Sequence, residues 1–340
     1  MKLPYPYLLF LGDIDAPNRA KTALGLAHWA PEKCLAQIRM NGCAGDTGLK
    51  DMSCAEAAAN GAKAMVIGVA PQGGSIPVSW HPALLEALDA GLDLISGMHD
   101  RLSDIPGIVK AAARQKRHLF DVRHSQLAIP SANGKKRTGL RCLMIGLDSA
   151  LGKKWTALAI TRELKDREIK ATFRATGQTG IMIAGEGIAV DAVPADFIAG
   201  AAEILSPNNE DDHWDIIEGQ GSIYHAAYAG VSLGLLHGSQ PDAMVLCGHA
   251  TREHLELLPH IPHRTYEEAI RTHEHLARVT SPRARVVGIS INTSDLDQEA
   301  EARKFLRGVE TRTGLPTIDP IRFGCTPVAE ALQEMMREAV

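Results

Sequence analysis

The stretch Leu143-Met144-Ile145-Gly146-Leu147-Asp148-Ser149-Ala150-Leu151-Gly152-Lys153-Lys154-Trp155-Thr156 carries an apolar run into a glycine turn and then into a Gly-Lys pair. A buried strand ends at the first glycine, the chain turns, and a helix opens at the second. Such a turn aims several backbone N–H groups and the positive end of a helix dipole at one point, where an anion can sit. Lys153 adds a charge able to reach the same place. Gly146, Asp148, Ser149, Gly152, Lys153, Lys154, Trp155 and Thr156 are therefore the candidate phosphate-gripping residues. The bland alternative is a glycine turn carrying two solvated lysines.

Two departures from the common phosphate loop bear on the ligand. Five residues separate Gly146 from Gly152, one more than usual, a spacing that resembles dethiobiotin synthetase and its relatives. Lys154 stands where a Ser or Thr hydroxyl normally holds Mg²⁺. A second lysine there suits gripping a pyrophosphate more than cleaving a triphosphate, and no metal is expected.

Outward from this loop, short apolar runs ending in Gly or Asp alternate with helical patterns, which predicts an α/β chain with parallel sheets. The predicted strands before it are Tyr7–Leu11, Leu35–Ile38, Ala64–Val69, Leu92–Ser96 and Leu119–Val122. Those after it include Ala171–Arg174, Trp214–Ile217, Met244–Cys247 and Val286–Ile291. Ser53-Cys54-Ala55-Glu56 has capping-box spacing, and helices are expected near Pro82–Ala90, Ile105–Arg114, Pro194–Leu205 and Gln298–Thr311. From His124 to Thr138 the alternation gives way to Pro, Ser, Gly, Asn and three consecutive basic residues. This predicts a domain over 1–124, a linker over 125–138 and a second domain over 139–340. A chain of 340 residues is long enough for two cores.

A net charge of -4 provides no broad basic field, so nucleic acid is not the expected partner. The six cysteines are scattered singly, as in a reducing compartment, and the opening residues lack the core of an export signal. No run approaches a membrane-spanning length. A cytoplasmic enzyme with small-molecule ligands is expected, with a homo-oligomer as the default assembly.

Three further stretches carry polar chemistry. Phe173-Arg174-Ala175-Thr176-Gly177-Gln178-Thr179-Gly180 follows a strand, and ligands of parallel sheets sit beyond the carboxyl ends of strands. Arg174 offers a fork for a carboxylate, while Thr176, Gln178 and Thr179 offer hydrogen bonds on what reads as a flexible glycine loop. A polar turn with Arg174 in a surface ion pair is equally compatible. In Trp214-Asp215-Ile216-Ile217-Glu218-Gly219-Gln220-Gly221-Ser222 a strand delivers a carboxylate and turns through two glycines. Glu218 could serve as a general base or metal ligand, with His225 as a second base candidate, or Glu218 could cap a helix and His225 simply pack. Gln220 and Ser222 lie on the same turn. Asp191 could bind an ammonium group or cap a helix. Pro71-Gln72-Gly73-Gly74-Ser75 reads as another strand-end loop or a tight turn.

Together with Val190-Asp191-Ala192-Val193-Pro194-Ala195-Asp196-Phe197, the segment Gly230–Gly238, Tyr7–Gly12 and Asp121-Val122-Arg123-His124, these stretches resemble the D-glutamate N-acetyltransferase-like family, once filed as a domain of unknown function. The resemblance covers most of the chain, with Ser149 and Leu151 departing from the family's usual small residue or Cys and Val. It implies a Rossmann-like first domain, a P-loop NTPase-like second domain, and acetyl transfer from acetyl-CoA to the amine of D-glutamate. In that scheme the Gly146 loop holds the pyrophosphate of coenzyme A, and Glu218 or His225 acts as base. Arg174, Thr176, Gln178, Thr179, Asp191, Gln220 and Ser222 line the amino-acid site. The competing reading is an ATP- and Mg²⁺-dependent ligase or kinase of the dethiobiotin synthetase type, with Glu218 on the metal.

Overall fold

The computed structural model describes residues 3–69, 73–124 and 127–339, and they form two compact units. The first comprises Met1–Leu127 with Gln178–Ala189, and the second Ala128–Gly177 with Val190–Val340.

In the first unit the strands β1 (Tyr7–Phe10), β2 (Cys34–Ile38), β3 (Ala64–Ile67), β4 (Asp93–Ser96) and β5 (Leu119–Asp121) form one parallel sheet in the order β2-β1-β3-β4-β5. Between them run α1 (Lys21–Trp29), α2 (Cys54–Ala59), α3 (His81–Asp89) and α4 (Pro106–Gln115). Every residue of β1, β3 and β4 is buried, the mark of a parallel sheet covered on both faces. The predicted capping box is present: Ser53 Oγ accepts from the Glu56 N–H, and the Glu56 carboxylate accepts from the Ser53 N–H. Of the glycine loop after β3, Pro71 and Gln72 lie outside the described residues. Its remainder is a turn in which the Gly74 carbonyl accepts from the His99 N–H at 2.8 Å.

The second unit holds β6 (Leu140–Gly146), α5 (Lys153–Asp166) and β7 (Ala171–Arg174), after which the chain enters α6 (Gln178–Ala184), counted with the first unit. It continues through α7 (Ile198–Leu205), β8 (Trp214–Ile217), α8 (Ala229–Ser239), β9 (Ala243–His249) and the antiparallel ribbon β10 (His254–Leu255) and β11 (Leu258–Pro262). The last elements are α9 (Tyr266–Ala277), β12 (Arg285–Asn292), α10 (Glu299–Thr313), β13 (Thr317–Ile318) and α11 (Thr326–Ala339). Its sheet is parallel in the order β13-β12-β9-β6-β8-β7, with β6 central and wholly buried. Among the described residues no helix is long and apolar enough to cross a membrane.

The reading of Phe173–Gly180 as a flexible loop is corrected at Gln178, where α6 begins. Thr179 sits inside that helix, buried, with its hydroxyl 2.9 Å from that of Thr22 on α1. The segment between His124 and the second sheet is also less free than its composition suggests. Arg137 donates to the Ser206 and Gly238 carbonyls at 2.7 and 2.8 Å, and Lys136 donates to Asp242 at 2.7 Å.

Candidate active site

Four neighbouring strands of the second unit, in the order β9-β6-β8-β7, end on one edge of the sheet and bring their following loops side by side. This is where a parallel sheet places its ligands. The loop after β6 is the predicted phosphate loop. Gly152 adopts φ +95° and Ala150 φ +50°, left-handed values that bend the chain into the first turn of α5. Lys153 folds back under the loop, and its Nζ donates to the Asp148 carbonyl oxygen at 2.7 Å. Burial pulls its ammonium down to about 8, partly offset by the nearby Asp148 carboxylate. Lys154 and Trp155 are half-buried in the same helical turn. Thr156 faces the sheet instead, with its hydroxyl 2.8 Å from that of Ser290.

After β8 comes Glu218, 4% exposed. Its Oε2 accepts the backbone N–H groups of Thr176 at 2.9 Å and Gly177 at 3.1 Å. Burial raises this carboxyl to about 7, against the charge of Lys154 and those two N–H groups, which favour the ionised form. Oε1 makes no hydrogen bond among the described residues. The backbone of Thr176 is fixed in turn: its hydroxyl donates to the Glu218 carbonyl at 2.7 Å and accepts from Gln220 Nε2 at 3.1 Å. Gly219 lets the strand end this close to the phosphate loop, since a Cβ there would lie 1.7 Å from the Met144 carbonyl oxygen and 3.0 Å from Lys153 Cδ.

Glu218, Thr176, Gln220, Lys153 and Lys154 thus converge. Asp191 is exposed and near enough for its charge to oppose ionisation of Glu218. Other predicted residues have different employment. Arg174 Nε donates to the buried Asp215 at 2.8 Å. Ser222 Oγ donates to the Leu147 carbonyl at 3.0 Å, pinning the β8 turn to the phosphate loop. Gln178 and Thr179 belong to the first unit. His225 is buried and stacked on Tyr228 with ring centroids 4.4 Å apart. Its Nδ1 accepts from the Ala227 N–H at 3.2 Å, and its buried Nε2 makes no hydrogen bond among the described residues.

Asp148 has a role its position in the motif does not reveal. Its side chain is fully buried; Oδ1 accepts from the Ser149 N–H at 2.6 Å. Oδ2 accepts from the Glu256 N–H at 2.8 Å and Arg252 Nη1 at 3.2 Å, with His263 Nε2 at 3.5 Å. Burial opposes the charge, but these donors outweigh it and hold the carboxyl well below the usual range. Arg252, Glu256 and His263 were not singled out from the sequence. The available signal was Gly248-His249-Ala250-Thr251-Arg252, a polar run at the carboxyl end of a buried strand.

Comparison with known proteins agrees with this architecture. Residues 38–125 match a domain of unknown function described as the DUF1611 N-terminal Rossmann-like domain, and residues 130–329 its C-terminal P-loop domain. A protein of Tritonibacter scottomollicae named D-glutamate N-acetyltransferase is 48% identical, the match covering 96% of this chain and 98% of that one. A second of the same name from a Pseudoalteromonas species is 43% identical, covering 98% and 100%. The crystal structure of a DUF1611 family protein from Anabaena variabilis superposes with a TM-score of 0.87 at 32% identity, over 97% of this chain and 100% of that one.

Proposed function

The chain belongs to the DUF1611 family, and from that premise we propose that it is a D-glutamate N-acetyltransferase that draws its acetyl group from acetyl-CoA. Two relatives bearing that activity's name match it over nearly their full length. The observation that carries the chemistry is Glu218. A buried carboxyl raised to about 7, with one oxygen unengaged and two lysines of a phosphate loop beside it, is poised to accept a proton near neutral pH.

The loop's donors suit a diphosphate. They are the N–H groups opening α5, the Lys153 ammonium, and Lys154 in place of the hydroxyl that holds magnesium in nucleotide-cleaving relatives of the motif. These residues would hold the diphosphate of acetyl-CoA, which supplies a thioester carbonyl when bound. The amino acid arrives as an ammonium ion with no lone pair, so Glu218 takes one proton on Oε1 and frees the amine to attack. A C–N bond forms and the C–S bond breaks. The sulfur leaves with the electron pair and gains the second nitrogen proton, and Glu218 returns its own proton to water. The N–H groups of Gln220 and Gly221 make no backbone hydrogen bond among the described residues, which supports a role for this turn in binding the developing oxyanion.

Six unpaired cysteines fit a reducing compartment, and we place the enzyme in the cytoplasm. The deciding experiment follows thiol release from acetyl-CoA with the purified chain against a panel of D- and L-amino acids. D-glutamate as the preferred acceptor is the expected result. Absence of thiol release with D-glutamate, or release driven equally by every amine, would overturn it.

A further inference from the structure

Arg252 is bonded in an unusual way for an arginine facing a carboxylate. All of its hydrogen bonds leave from one atom: Nη1 reaches Asp148 Oδ2 at 3.2 Å, the Ser149 carbonyl at 3.2 Å and Glu256 Oε2 at 3.5 Å. A guanidinium normally meets a carboxylate through two parallel N–H bonds. Here Nε and Nη2 donate to nothing among the described residues, and the side chain is 20% exposed while Asp148 beneath it is fully buried. One corner of the guanidinium is therefore anchored on the phosphate loop, and the edge that matches two oxygens of a phosphate is left open.

The ribbon that carries Arg252 would not hold this position unaided. It pairs only His254 with Pro262 and Leu255 with Leu258, most of β11 is solvent-facing, and an isolated two-stranded ribbon is marginal in water. Asp148 fixes it from the phosphate loop by taking Arg252 before β10, the Glu256 N–H in the turn, and His263 after β11. The His263 N–H closes the base of the ribbon on the Glu253 carbonyl at 2.7 Å. The same loop whose backbone faces the anion thus determines where the arginine stands.

We propose that Arg252 is a phosphate ligand of the acyl donor and that Asp148 is the positioning residue that delivers it; this rests on the acetyl-CoA reading given above. Binding of coenzyme A to the full-length protein, measured by titration calorimetry, tests it alongside steady-state kinetics. Arg252→Ala should raise the Kd for coenzyme A roughly 10- to 100-fold, as loss of hydrogen bonds to a charged group does, and should raise KM for acetyl-CoA more than it lowers kcat. Arg252→Lys should recover only part of the affinity, because an ammonium cannot bridge two oxygens. Asp148→Asn should weaken binding in the wild-type background yet add little to Arg252→Ala, the non-additivity expected of a residue acting through its partner. The control is Lys153→Ala. If that variant loses affinity while Arg252→Ala does not, the arginine assignment is wrong and the phosphate-loop reading stands. A rise in KM for D-glutamate alone would assign Arg252 to the substrate carboxylate and overturn the proposal. If neither variant changes coenzyme A binding, the phosphate-loop reading itself fails.

Discussion

Glu218 Oε2 lies 2.9 Å from the backbone nitrogen of Thr176, an N–H that belongs to the loop after the neighbouring strand. The contact engages one oxygen, and the other makes no hydrogen bond among the described residues. Glu218→Gln keeps an acceptor for that N–H but removes the proposed base. The expected result is a fall in kcat of roughly 10²- to 10⁴-fold, with coenzyme A affinity by calorimetry changed little.

The dependence of kcat/KM on pH should be bell-shaped. In the proposed mechanism Glu218 works deprotonated, so the rate should fall below its value of about 7, and Lys153 binds phosphate protonated, so binding should weaken above its value of about 8. Lys153→Ala should lower kcat/KM and erase the alkaline limb while sparing the acid one. A profile that remains bell-shaped in that variant would detach the upper limb from Lys153.

Glu218 also implies an effect on stability. Its carboxyl is raised from 4.5 to about 7 on folding, so the folded protein holds this proton more tightly than the unfolded chain. Stability from this group is present in full below 4.5 and is lost as pH rises through 7. At pH 8 the parent buries a charge that Glu218→Gln does not. Glu218→Gln should therefore be the more stable of the two at pH 8, by up to about 3 kcal/mol, and the gap should close in acid. Thermal melts of both proteins across pH 4.5–8 read this directly.

Gly219→Ala would drive a methyl group to 1.7 Å from the Met144 carbonyl. Backbone on both sides has nowhere to go, because β6 is the central strand. A loss of about 3 kcal/mol or more is expected, in the range of severe core overpacking. Urea unfolding would show it as a lower midpoint or as an insoluble product.

Much of this was legible in the chain itself, for identifiable reasons. Trp214–Ile217 and Ala171–Arg174 are found as predicted because short apolar runs bounded by polar turns have few other ways to fold. Glu218 was legible because it directly follows such a run. The helix α8 was not, since apolar and small residues appear on every side of it and leave no periodicity to read. Nor was α6, which is too short to be stable by propensity and takes its form from packing against α1. Arg252 escaped for a different reason: its bond to Asp148 spans 104 positions, and only the folded sheet brings β6 and β9 together.

The detour of Gln178–Ala189 into the first unit limits how this gene can be cut. Thr179 and the carbonyl of Ile183 meet Thr22 and Lys33 there, so a fragment stopped near Thr138 would lack a helix its own sheet layer needs. The two halves cannot be swapped between homologues as cassettes at a single splice; a working chimera must graft two separate segments together.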